Sequence, residues 1–102
     1  MSGEVARTIL EQLGGRSFGA MVGIGQVVDL GDGVQFAVGG GSTRSLGGIN
    51  KVVVKLAADD TYDLSFWRIR GVEVREIHAY RGVHAHEMRG IVEIATGLRT
   101  SL

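Results

Sequence analysis

The chain has 102 residues, 44% of them apolar, no cysteine, and eleven basic side chains balanced by eleven acidic ones. That length is one domain, residues 1–102, with one core, and the lack of cysteine excludes disulfides and thiolate metal sites. Zero net charge argues against a dedicated duplex-DNA binder, whose affinity rests largely on basic excess. The charge is nevertheless uneven: residues 1–65 carry five basic and seven acidic groups, whereas residues 66–102 carry six and four, and all six are arginine. The start, MSGEVARTILEQLGG, is charged where a signal peptide is apolar, and the longest weakly polar run, FGAMVGIG, falls far short of the ~20 residues of a membrane span. A soluble intracellular protein without membrane contact is expected.

Residues 2–13 read as a helix, with Ser2 as cap, Glu4 near the positive end, and Val5, Ala6, Ile9, Leu10 and Leu13 as one apolar stripe; Gly14-Gly15 ends it. SFGAMVG (17–23) and GQVVDL (25–30) read as short strands, the second closed by a turn at Gly31-Asp32-Gly33. In VQFAV (34–38), Val34, Phe36 and Val38 alternate toward one face. In NKVVVKLA (50–57), Val52, Val54 and Leu56 alternate with Lys51, Val53 and Lys55, and Asp59-Asp60 makes the next turn. In TYDLSFWRI (61–69), Tyr62, Leu64 and Phe66 share a face, leaving Asp63, Ser65 and Trp67 on the other; Gly71 breaks the run. VEVREIHAY (72–80) is a further strand whose apolar phase changes between Val74 and Ile77, which predicts a bulge or burial on both faces. Val83 to Ala95 reads as a second helix, with Met88, Ile91, Val92, Ala95 and Leu98 facing the core and Gly97 as stop. The connections are too short for parallel crossovers. The expected fold is α+β: a single antiparallel sheet of about five strands with an N-terminal and a C-terminal helix on one face.

GVHAHEMRGIVEIATGLRTSL (82–102), with ILEQLGG (9–15), FGAMVG (18–23) and IRG (69–71), resembles a family of short, uncharacterised proteins of tailed bacteriophages and prophages. The similarity runs along nearly the whole chain, and its closing TGL-TSL pattern is the most distinctive part. The chain departs from that family in its extra glycines, above all at 39–48. The resemblance implies expression in the bacterial host cytoplasm during infection, and carries no activity or functional residues with it.

Three stretches invite a chemical reading. AVGGGSTRSLGGIN (37–50) holds five of the seventeen glycines, but it lacks the P-loop lysine and is followed by a strand rather than a helix. It reads as a slack hairpin loop, or as a flap in which Arg44, with Ser42 and Thr43, closes over a polyanion. HAHE (84–87), with His78, suggests a metal site only until the helix is considered: residues two apart on a helix diverge by about 200°. Exposed polar residues of a first helical turn are expected there, with no metal or cofactor bound. Catalysis has no support either, since there is no G-x-S-x-G elbow and no acid–base pair, and the chain is not expected to be an enzyme.

The third stretch, SFWRIR (65–70), carries the functional expectation. Trp67 lies opposite the core face, beside Lys51, Val53 and Lys55 and within reach of Arg75 from the next strand, although Asp63 and Glu73 point the same way. An aromatic plate flanked by cations is how sheets hold single-stranded nucleic acid. On this reading Lys51, Lys55, Arg68, Arg70 and Arg75 contact phosphates, Trp67 stacks on a base and Arg44 closes the flap. Two plainer readings stand beside it: a solvated face with cross-strand ion pairs, or a Trp67 buried by a partner. The rival function is a protein–protein module, a structural subunit or an inhibitor of a host or defence protein, using that same face. Edge strands and Ile94 on the C-terminal helix leave a homodimer open.

Overall fold

In the computed structural model, which describes residues 3–39 and 45–98, the alternating apolar residues of the chain's middle line one face of a sheet and meet the helices there. The strands are β1 (Gly25–Asp29), β2 (Gly33–Ala37), β3 (Lys51–Leu56), β4 (Tyr62–Arg70) and β5 (Glu73–Val83), and they pair antiparallel in chain order. Three α-helices among the described residues complete the α+β fold: α1 (Glu4–Leu13) and α2 (Gly15–Val22) before the sheet, and α3 (Ala85–Thr96) after it. α1 packs on α3 and β2, so both ends of the chain close over the same face. No helix among the described residues is long and apolar enough to cross a membrane.

The core is the sum of the two periodicities. Ala6, Ile9 and Leu13 come down from α1, and Met88, Val92, Ala95 and Leu98 from α3 and its end. They meet Val34 and Phe36, Val52 and Val54, and Tyr62, Leu64 and Phe66 from the sheet. Burying each large apolar side chain contributes about 1.5–3 kcal/mol. α3 ends on a buried threonine: Thr96 Oγ1 donates to the Val92 carbonyl at 2.6 Å and accepts from the Leu98 N–H at 3.2 Å.

One expected strand is a helix, and the last helix begins at Ala85 because Val83 still belongs to β5. Residues 17–23 are not a strand but the body of α2, which begins at Gly15 and is capped by Gly23, left-handed at φ 66°. The physical reason is Phe18. Helical spacing buries Phe18, half-buries Met21 and turns Arg16, Ser17 and Ala20 to solvent, and the Phe18 ring meets Phe36 edge-on with centroids 5.9 Å apart. A short apolar run between glycines fits either period, and here the tertiary contact decides. The proposed Ser2 cap lies outside the described residues; Gly3 stands at the cap position of α1, without a side-chain cap bond.

The turns follow the sequence. Asp29 Oδ1 accepts from the Gly31 N–H at 2.8 Å in the β1–β2 turn. Asp59 Oδ1 accepts from Thr61 Oγ1 at 2.6 Å and the Thr61 N–H at 3.2 Å in the β3–β4 turn. Those bonds to Thr61, the side-chain one foremost, hold the Asp59 carboxyl below the ordinary aspartate range. At Gly33 the backbones come close: a Cβ there would sit 2.1 Å from the Val54 carbonyl oxygen, so only glycine fits.

The expected bulge is present. Phe66 pairs with His78 and Trp67 with Glu76, which leaves Ile77 as the extra residue; a second irregularity lies between the Tyr62–Val83 and Leu64–Tyr80 pairs. β4 and β5 are nine and eleven residues long, against five or six for the others. Their hairpin therefore runs on past the start of β3 as a two-stranded arm that turns at Gly71-Val72.

Candidate functional site

Directly opposed residues of an antiparallel pair share a face, so the register assigns every candidate side chain to one of two surfaces. The outer face, away from the helices, has one row of Ala37, Lys51, Trp67 and Glu76, and a second of Val28, Gln35, Val53, Ser65 and Ala79. Lys55 and Asp63 oppose each other in the next row. Trp67, Lys51 and Lys55 are thus brought together as expected. Trp67 is half-buried, and its Nε1–H donates to Ser65 Oγ at 2.8 Å, which fixes the indole along its own strand. On this face Lys51, Lys55 and the exposed Arg81 of β5 stand against Asp63 and Glu76, so positive and negative groups are mixed with one cation in excess.

The arginines are elsewhere. Arg68 opposes Arg75 and Arg70 opposes Glu73, on the inner face of the arm, the face that carries the core farther along β4. The single site expected from Trp67, Lys51, Lys55, Arg68, Arg70 and Arg75 is therefore split across the sheet. The reason is the two-residue turn at Gly71-Val72: it places Arg70 against Glu73, and each earlier pair follows. Glu76, not Glu73 or Arg75, stands beside Trp67. Arg44, Ser42 and Thr43 lie outside the described residues.

Next to the arm, where His78 pairs with Phe66 and Tyr80 with Leu64, the same inner face holds more than arginine. The Ile77 bulge reverses the alternation between Glu76 and His78, so His78 and Tyr80 share the face of Arg75. The His78 and Tyr80 rings are 6.3 Å apart, and Tyr80 also meets Phe66 edge-on at 5.9 Å. His78 is exposed and Tyr80 half-buried. In the sequence His78 drew notice only beside HAHE and Tyr80 not at all, although the phase change that marks the bulge was the signal that could have joined them to Arg75.

Charge on this face is unbalanced. Arg75 Nη2 reaches Glu73 Oε2 at 3.5 Å, the one ion pair among the described residues, and both side chains are exposed. Arg68 is half-buried, and its Nε is buried with no hydrogen-bond partner among the described residues. The turn at Leu46–Gly48 backs it: a Cβ on Gly48 would lie 3.4 Å from Arg68 Cδ and Nε and 3.7 Å from Arg70 Nη2. Like charges directly across a strand pair destabilise it.

Asn50 ties the arm to the body of the sheet. Its Nδ2 donates to the Ile69 carbonyl at 2.8 Å and its Oδ1 accepts from the Ile69 N–H at 2.9 Å, while its own N–H donates to the Trp67 carbonyl at 2.9 Å. The side chain thereby extends the β3–β4 ladder by one rung and fixes Trp67 and Arg68 on their opposite faces. The glycine-rich connection does join two strands, β2 and β3, and a strand rather than a phosphate-loop helix follows it.

His84 and His86 are placed differently from expectation. His84 is the cap of α3 with an extended backbone (φ −80°, ψ 154°), so the two rings do not diverge but stack 5.9 Å apart at an 11° tilt. The His84 N–H donates to Glu87 Oε1 at 3.0 Å. Among the described residues no group of three or more histidine, aspartate or glutamate side chains is placed to hold a metal ion. No protein-family model, curated protein or solved structure matches the chain.

Proposed function

We propose that the protein binds single-stranded nucleic acid across the inner face of the β4–β5 arm. The observation that carries the reading is the direct opposition of Arg68 and Arg75, with Arg70 one pair away and Glu73 as the carboxylate beside them. Three guanidinium groups make charge-assisted, bidentate contacts to phosphate oxygens. The His78 and Tyr80 rings, on the same face, offer unpaired bases a stacking surface, which a duplex does not use. This moves the expected nucleic-acid interface from the Trp67 side of the sheet to the other, and it suits a chain with no overall basic excess, since the cations are concentrated where they act. In the phage setting implied by the closing TGL-TSL pattern, the protein is an accessory factor acting in the host cytoplasm, where replication and recombination expose single strands.

The test is the anisotropy of a fluorescein-labelled oligothymidylate titrated with protein at several salt concentrations. Three phosphate contacts give a slope of log affinity on log salt of about −2. The double substitution Arg68→Gln with Arg75→Gln is expected to weaken binding at least tenfold, while Trp67→Phe leaves it unchanged. Absence of binding at low salt overturns the reading, and so does a loss produced by Trp67→Phe but not by the arginine substitutions.

A further inference from the structure

The outer face is left uncovered: among the described residues every helix that packs on the sheet packs on the other side. Its middle row, Gln35, Val53, Ser65 and Ala79, is uncharged, Trp67 stands in the next row between Lys51 and Glu76, and the exposed Val28 and Val74 add apolar surface toward the two edges. The indole N–H of Trp67 is already bonded to Ser65 Oγ, so a surface laid against it need supply no acceptor. Across β3 and β4 its rows fall in register, Lys51 with Trp67, Val53 with Ser65 and Lys55 with Asp63, while Glu76 and Arg81 lie to one side on β5.

We infer that this face docks a second copy of the chain about a two-fold axis that runs parallel to the strands, between β3 and β4. Such an axis lays β3 of one copy over β4 of the other and keeps the rows in step. Each residue then meets the partner's copy of its own cross-strand neighbour. Lys55 faces Asp63, an ion pair; Lys51 faces the Trp67 ring, a cation over an aromatic plate; Val53 faces Ser65, a small contact at the centre. Every such pairing occurs twice, as a two-fold interface requires. An axis across the strands instead places Lys51 over Lys55, like charge on like, and is rejected by the same register. Face-to-face sheets normally lie about 10 Å apart with strands within about 30° of each other, which this arrangement respects. The two arms then project from the same end of the dimer with their arginine faces turned away from the interface, so the pairing does not depend on what those faces bind.

The ion pair supplies a test in trans. Lys55 and Asp63 are exposed, so Lys55→Asp and Asp63→Lys leave the core untouched, and circular dichroism verifies each fold. By sedimentation at tens of micromolar protein, the unaltered chain is expected to be a dimer and each variant alone a monomer, because each places like charges across the axis. Mixed in equal amounts, the two variants are expected to regain the dimer, since the carboxylate introduced in one then meets the ammonium introduced in the other. Trp67 emission, from the chain's only tryptophan, shifts to the blue on association and reports the same equilibrium by dilution. A monomeric unaltered chain overturns the inference and leaves the face to a different protein. Variants that remain dimeric overturn it in favour of another surface, such as the β5 edge. A mixture that stays monomeric contradicts the pairing of Lys55 with Asp63.

Discussion

The two ends of the β4–β5 hairpin are built from the same kind of chain and do opposite things. At the body end, Tyr62, Leu64 and Phe66 are buried under α1 and α3, and β5 meets them with Tyr80 and Val83. At the arm end, the same face carries Arg68 and Arg70 against Arg75 and Glu73, and the turn exposes Val72 fully. Both ends belong to the same two strands, interrupted only by the irregularities of β5. What changes is the cover: the helices stop, the neighbouring strand β3 stops, and between Phe66 and Arg70 one face passes from a core to a cationic surface. A strand can thus be anchored by one half and present chemistry with the other, provided its alternation is kept in register across the change. Along β4 Asn50 secures that register, while on β5 the Ile77 bulge resets the alternation so that His78 and Arg75 share one face.

The sharpest way to break the comparison is to attack the anchored end. Phe36→Ala removes the ring that meets Phe18 and is expected to cost about 3–5 kcal/mol, read as a lower midpoint in urea unfolding; a cost below about 1 kcal/mol would contradict the packing described. Gly33→Ala forces a methyl against the Val54 carbonyl oxygen. Its expected cost is about 1–3 kcal/mol or more, and it should lower the thermal midpoint without touching the arm.

The joint comes next. Asn50→Ala leaves both main-chain groups of Ile69 unpaired in a partly buried place, at an expected cost of about 1–3 kcal/mol. Amide exchange should then quicken along 68–75 more than along 62–66. Equal acceleration of both halves would mean that the arm has no separate anchor. On the arm itself, His78→Ala removes one stacking ring and should cost about 1–3 kcal/mol of oligonucleotide binding with the salt slope unchanged, whereas Arg70→Gln should lower the slope by about 0.7. Identical effects of the two substitutions on the slope would erase the distinction between stacking and phosphate contact.

The smallest effect lies at the turn that leads into β4. The hydrogen bonds from Thr61 lower the Asp59 pKa in the folded state. Their stabilising contribution is therefore fully present above the unfolded aspartate pKa, and is lost as pH falls through the lowered folded value. Thr61→Val, which keeps the main-chain bond and removes the hydroxyl, should raise the Asp59 pKa toward the ordinary range in a carboxyl-resolved NMR titration. No change would show that the hydroxyl does not set it.

Much of this hairpin was legible before any coordinates. The alternation of Val52, Val54 and Leu56, and of Tyr62, Leu64 and Phe66, placed the core face correctly because one face is buried and a one-residue slip would expose it. The broken phase after Val74 announced the bulge. α2 was not legible, because Phe18 and Met21 between glycines satisfy either period and only the contact with Phe36 selects the helix. The arginines were misplaced for a subtler reason. Near the tip no described residue is buried, so hydrophobic phase gives no register; the two-residue turn does, and it sets Arg68 against Arg75. Local composition brought Trp67 and the arginines together in sequence, and alternation separated them in space.

The proposal that the two faces of the sheet take different partners is tested most directly by mapping backbone-amide shifts while unlabelled oligothymidylate is added to isotope-labelled protein at low salt. Perturbations are predicted at Arg68, Arg70, Arg75, His78 and Tyr80, fading as salt is added, with Lys51, Val53 and Lys55 unmoved. Shifts centred on Lys51, Lys55 and Trp67 instead, or none anywhere, would contradict the account.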